Sequence, residues 1–170
     1  MELIKQLKTK PLSNFDILEA VDNECNLVTY SDIKNYKSLD ELLGPHKCCV
    51  ILYESDNECG HWVLIMKHKN GEIEFFDPYG VKIDSELKWY PSMKVYPELT
   101  KLLVENGKPV VYNDRPLQSK SKQIATCGYH CVSRIKLKDM DVDDYCDLMK
   151  SFKKQHLNSD DMAVIFSLKL

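Results

Sequence analysis

The chain has 170 residues, 44% hydrophobic and 29% charged, the ordinary balance of a globular domain with a real core. Its 23 basic and 26 acidic residues leave a net charge of −3, which as a whole calls for neither nucleic acid nor an anionic membrane, and no apolar run approaches the roughly 20 residues of a membrane span. Seven cysteines is a high but odd number, and Met1-Glu2-Leu3-Ile4-Lys5 is simply amphipathic rather than a secretory leader, so the expectation is free thiols in a reducing, intracellular compartment and one domain over 1–170.

Residues 1–22 read as two short helical pieces broken at Pro11, with Ser13-Asn14 capping the second. Residues 23–46 are mixed, with one helix at Ser38 to Leu43 closed by Gly44 and Pro45. The character then changes. Lys47 to Tyr53 and His61 to His68 are dense β-type runs, Glu72 to Asp77 alternates with period 2, and Val110-Val111-Tyr112 is a shorter fourth strand. Cys127, Cys131 and Ile135 recur at helical spacing, Asp141 to Lys154 is an amphipathic helix, and Asn158 to Asp161 caps a last one, Met162 to Leu168. Helices, strands, then helices predict an α+β domain with a mostly antiparallel sheet.

Cys127 opens its helix, where the partial positive charge of the N-terminus and the unpaired first-turn amides favour thiolate over thiol. Gly128 beside it would leave those amides open to an approaching carbonyl. A nucleophilic cysteine needs a base, and His61 in Gly60-His61-Trp62 is the candidate. The loop Lys69-Asn70-Gly71 decides whether an acid can serve that base. A two-residue turn would put Asp77 on the face opposite His61. A three-residue loop with Gly71 left-handed pairs His68 with Glu72 and His61 with Tyr79, which makes Asp77 the diagonal neighbour of His61 at a Cβ separation of about 7–8 Å. The three-residue register is the expectation, with Asp77 fixing the imidazole tautomer.

Gly60-His61-Trp62, then Phe75-Phe76-Asp77-Pro78-Tyr79-Gly80, then a Gln-Ser followed by Thr126-Cys127-Gly128, resembles the adenovirus-type (adenain-like) maturation cysteine proteases. The look is closest to their relatives in virophages and large DNA viruses; the SUMO-specific proteases are more distant members. The resemblance covers about residues 47–135. It implies a papain-like fold with the cysteine on a central helix packed against the sheet, and His61 as base, Asp77 as orienting acid and Cys127 as nucleophile. A glutamine would donate to the oxyanion: Gln118, in Pro116-Leu117-Gln118-Ser119, is favoured, and Gln123 is its rival. Gly60, Trp62 and Gly128 would line the substrate site. The implied activity is an endopeptidase without metal or organic cofactor, cutting viral capsid and core precursors at small-residue motifs during maturation. The implied setting is the virion and the host-cell cytoplasm or virus factory, with the protein monomeric and off the membrane. A peptide or DNA activator is conceivable, the latter because Lys108, Arg115, Lys120 and Lys122 form a basic stretch.

Three other readings compete. The same triad could remove a ubiquitin-like modifier, or transfer an acetyl group from a thioester cofactor. Alternatively Cys127, His130 and Cys131 with Cys59 and His61 could hold zinc in an interaction module, although Cys-x-His is tighter than zinc knuckles use.

Overall fold

The computed structural model describes residues 2–54, 60–89 and 96–169. Its five strands are β1 (Asn26–Thr29), β2 (Cys48–Glu54), β3 (Gly60–Lys67), β4 (Ile73–Phe76) and β5 (Val110–Tyr112), and they lie side by side in chain order. The long central ladders, β2 with β3 and β3 with β4, are antiparallel, and both edge strands add in parallel. A parallel step cannot be made by a tight turn. Each edge therefore has a crossover: a 3-10 turn (Tyr30–Asn35) and α3 (Leu39–Leu43) from β1 to β2, and a second 3-10 turn (Ser85–Trp89) and α4 (Glu98–Asn106) from β4 to β5. Residues 23–46 thus contain a strand and a 3-10 turn beyond the expected helix.

Both faces of the sheet are covered, which explains why β2 and β3 read as unbroken apolar runs. Val50, Trp62, Leu64, Met66 and Phe76 enter one cluster, under α2 (Asn14–Ala20), α5 (Cys127–Lys136), α6 (Val142–Ser151) and α7 (Ser159–Lys169). Cys49, Ile51, Tyr53, Val63, Ile65 and Phe75 enter the other, under the two crossovers. Of α5, nine residues from Cys127 to Ile135 are buried. Its polar members are therefore bonded: Arg134 forks onto Glu74 of β4 with two bonds of 2.8 Å, and also donates to the carbonyls of Leu137 and Met140. Breaking such a buried pair costs about 3–5 kcal/mol, so this fork holds the helix against the strand.

The β3–β4 hairpin has the three-residue loop. The His68 amide donates to Glu72 O at 2.9 Å, Gly71 takes φ +86°, and Leu64 pairs with Phe76, the ladder that sets His61 opposite Tyr79. The chain before β1 begins with α1 (Glu2–Lys8), and the N-cap expected at Ser13 forms, completed as a capping box by Asp16. Among the described residues no helix is long and apolar enough to cross a membrane.

Candidate active site

His61 and Asp77 sit at the ends of β3 and β4, in phase with the side chains of the second cluster, while Cys127 arrives from the helix layer on the other face. The site is where the two layers meet around the end of the sheet. His61 Nε2 lies 2.9 Å from Asp77 Oδ1, with both side chains buried. Cys127 stands beside the imidazole within hydrogen-bonding reach, and with Nε2 held by Asp77, Nδ1 is the ring nitrogen left for the thiol. Burial by itself would depress the His61 pKa. The Asp77 hydrogen bond and the Cys127 sulfur outweigh it and raise the value to about 10.

Cys127 is the first residue of α5, and no side chain caps that helix: the Thr126 hydroxyl turns away to donate to Asp160 Oδ1. Asp160, on α7, also accepts from His130 Nε2 at 3.1 Å and from the Ser119 amide at 3.1 Å. One buried carboxylate thereby ties together the start of the cysteine helix, its middle, and the loop after Gln118. The six described cysteines are all free. Burial pushes the thiols of Cys25 and Cys146 up to about 11, and those of Cys48, Cys49 and Cys131 higher still. Of the described cysteines, Cys127 alone lines the cleft.

The Asp77-Pro78-Tyr79-Gly80 turn links the acid to the glutamine loop. Asp77 is pinned by Asn113, whose Oδ1 accepts its amide at 2.9 Å and whose Nδ2 donates to its carbonyl. Pro78 O accepts the amides of Leu117 and Gln118, each at 2.9 Å. Gly80 has φ +68°, and a Cβ there would fall 2.8 Å from Pro116 N, so the loop can approach this closely only past a glycine. The Tyr79 ring stacks on His61 at 4.5 Å between centroids, and its hydroxyl accepts from Gln118 Nε2 at 3.4 Å. Gln118 is buried and lines the cleft, whereas Gln123 is exposed and does not.

The cleft over Cys127 has a volume of about 640 Å³. Gly60, His61 and Trp62 line it on one side and Leu12, Ser13 and Asn14 on the other. Gly60 is exposed but cannot carry a side chain, since a Cβ would come within 2.4 Å of Leu52 Cδ1 and 2.9 Å of Tyr53 O. Trp62 Nε1 donates to Leu12 O at 3.1 Å, so it braces the opposite wall. Gly128 differs from expectation: it does not line the cleft, and a Cβ on it would meet Leu12 Cβ at 3.0 Å and Ile17 and Trp62 at 3.4 Å. It is a packing glycine that lets α5 sit against the N-terminal segment.

Two residues of the site were missed in the sequence. Tyr79 was legible as the register partner of His61. Glu86, in the 3-10 turn after β4, had no motif to mark it; its Oε1 lies 3.6 Å from His61 Nε2, and burial lifts its pKa to about 8. His61, Asp77 and Glu86 are the one group among the described residues whose potential metal-ligand atoms converge, all within 4.8 Å. Cys127, His130 and Cys131 do not converge in this way, because His130 is turned to Asp160 and Cys131 into the core. Cys59, the other half of the zinc reading, lies outside the described residues.

Fold and site together define an α+β chain with a buried thiol, imidazole and carboxyl assembled at the open end of its sheet. The chain is 37% identical over 163 residues to the uncharacterized protein V9 of Sputnik virophage, an alignment that takes in 88% of this chain and 93% of that one, and it belongs to the same family. No family model matches. Among solved structures, the ASFV pS273R protease aligns with a TM-score of 0.49 at 14% identity, covering 94% of this chain and 67% of that one. The central domain of an uncharacterized Legionella pneumophila protein, Lpg1148, aligns with a TM-score of 0.40 at 15% identity, covering 76% and 75%.

Proposed function

We propose that this protein is a cysteine endopeptidase with Cys127 as nucleophile, His61 as general acid and base, Asp77 as the orienting acid and Gln118 as an oxyanion donor. The observation that carries the proposal is the His61–Asp77 bond at the mouth of an apolar cleft, with the thiol of an uncapped helix N-terminus beside the other ring nitrogen. The raised His61 pKa supports a protonated imidazole beside Cys127 at neutral pH.

In the proposed reaction Cys127 Sγ adds to the scissile carbonyl, and the oxygen takes up negative charge facing the Gln118 amide and the first-turn N–H groups. The proton on His61 passes to the leaving amine as the C–N bond breaks, leaving a thioester. A water then gives one proton to His61 and its hydroxide to the acyl carbon; the C–S bond breaks, and His61 passes the proton to the departing Cys127 sulfur. Among the described lining residues there is no Asp, Glu, Lys or Arg. Neutral, small or apolar substrate residues fit such a cleft.

The virophage origin of the relative supports a virus-encoded role. The substrates proposed are precursors of capsid and core proteins, cleaved during virion assembly in the particle or in the infected cell. The test is alkylation by iodoacetamide at about pH 6, read site by site by mass spectrometry. Fast labelling of Cys127 that disappears in His61→Ala supports the pair, and slow labelling spread over several cysteines removes it.

A further inference from the structure

Glu86 is the only carboxyl among the described residues with both oxygens buried and neither receiving a hydrogen bond from a donor group. Its place is set by the residue two before it. Asp84 accepts from the Tyr30 hydroxyl at 2.6 Å, the Tyr53 hydroxyl at 3.0 Å, and Thr100 through its amide at 2.9 Å and its hydroxyl at 2.6 Å. That knot fixes the 3-10 turn and directs Glu86 at the back of the catalytic pair. The groups facing it include His61 from β3, Asp77 at the end of β4 and Tyr79 in the following turn.

An ionised carboxylate buried without a donor is expensive, and two carboxylates in one buried site do not both ionise. Asp77 presents Oδ1 to His61 and has a second oxygen, Oδ2, that is also buried and without a partner. If Cys127 and His61 carry opposite charges they cancel, which leaves Asp77 and Glu86 as two carboxyls sharing one buried site. We infer that Glu86 is a positioning residue that stays protonated and donates its carboxylic O–H to Asp77 Oδ2, so that Oδ1 is held toward His61 Nε2. The upward shift of Glu86, caused first by burial and reinforced by Asp77 against the pull of His61, has the sign this arrangement requires.

The protonation can be tested without any enzymatic readout; the positioning role rests on the protease proposal. A carboxyl with a raised folded-state pKa binds its proton more tightly folded than unfolded, so stability falls as pH rises from the ordinary carboxyl range to about 8. Full-length wild type and Glu86→Gln, which keeps a neutral donor, are unfolded thermally from about pH 5 to about pH 9. The expected result is the same Tm at the acid end and a higher Tm for the variant at the alkaline end. A pH-independent difference overturns the inference. So does added zinc that raises the Tm of the wild type and not of the variant, because it would assign the three groups to a metal. Should Glu86→Gln not fold, the infrared carbonyl band of a protonated carboxyl in the wild type decides: its loss as pH passes about 8 supports the inference, and its absence at neutral pH overturns it.

Positioning is read from the rate and pH profile of Cys127 alkylation. Glu86→Gln should keep both within about threefold, and Glu86→Ala, which leaves Oδ2 without a donor, should slow labelling about tenfold. Equal rates in the two variants overturn the positioning role and leave the protease proposal standing. Wild-type labelling that does not depend on His61 does the reverse.

Discussion

Two buried histidine–aspartate pairs, one beside the Cys127 helix and one within it, have nearly the same bond, 2.9 Å for His61–Asp77 and 3.1 Å for His130–Asp160. Their surroundings differ. His61 hangs from a strand end, and its second ring nitrogen is left for a thiol at a cleft. His130 sits inside α5; its Nδ1 is buried without a partner, and its aspartate collects the Thr126 hydroxyl and the Ser119 amide instead. The chemistry of a histidine–carboxylate pair is thus set by what the other nitrogen meets. One pair leaves a ring nitrogen for a thiol at a cleft, and the other fastens a helix to a loop.

The sharpest way to break this contrast is His61→Ala, expected to lower the peptide-cleavage rate by about 10²–10⁴, against His130→Ala, expected to act on thermal stability and leave the pH dependence of Cys127 labelling unchanged. Gln118→Ala should cost about 10²–10³ in kcat, while Gln123→Ala, at an exposed site, should match the wild type. Asp77→Asn removes a charged hydrogen-bond acceptor worth about 1.5–3 kcal/mol, so kcat/KM should fall by roughly 10- to 150-fold. Asp160→Asn should act on turnover less than any of the His61, Gln118 and Asp77 changes; its signature is a loss of stability at neutral pH that closes on acidification. The Asp160 carboxyl is held below its usual range by His130, Thr126 and Ser119, against the opposing effect of burial, so its contribution is present above the ordinary carboxylate pKa and disappears as pH falls through the lowered one.

The same comparison sharpens with pH from the other side. The raised folded-state pKa of His61 stabilises the protein fully below the ordinary histidine range and is lost as pH rises through about 10. Cys127→Ala removes one cause of the elevation, so NMR titration of His61 in that variant should show a lower pKa. An unchanged titration would mean that the thiol and imidazole do not interact.

The central hairpin was legible because its information is local: Gly71 fixes the loop, the loop fixes the register, and the register puts Asp77 beside His61. Cys127 at a helix start was legible for the same reason, through its i, i+4 neighbours. At the edges, β5 was legible as Val110-Val111-Tyr112, but its parallel pairing was not, and β1 was missed. β1, the 3-10 turn Ser85–Trp89 and α4 are short and mixed in composition, so neither period 2 nor period 3.6 marks them. Glu86 was lost with that turn. Gly128 was assigned to substrate access from its position after the cysteine, but which way a helix face points depends on the N-terminal segment, and Leu12 and Ile17 occupy that side.

That segment bears on how the cleft is kept in shape. Leu12, Ser13 and Asn14 form one wall, the Ala125 amide donates to Lys8 O at 2.8 Å, and Lys8 pairs with Asp161 of α7 at 2.6 Å. The two terminal regions are therefore buckled to each other beside the nucleophile, and the width of the opening is a property of that buckle. A force or a fusion acting on residues 2–8 would be felt at Cys127 before it reached the sheet.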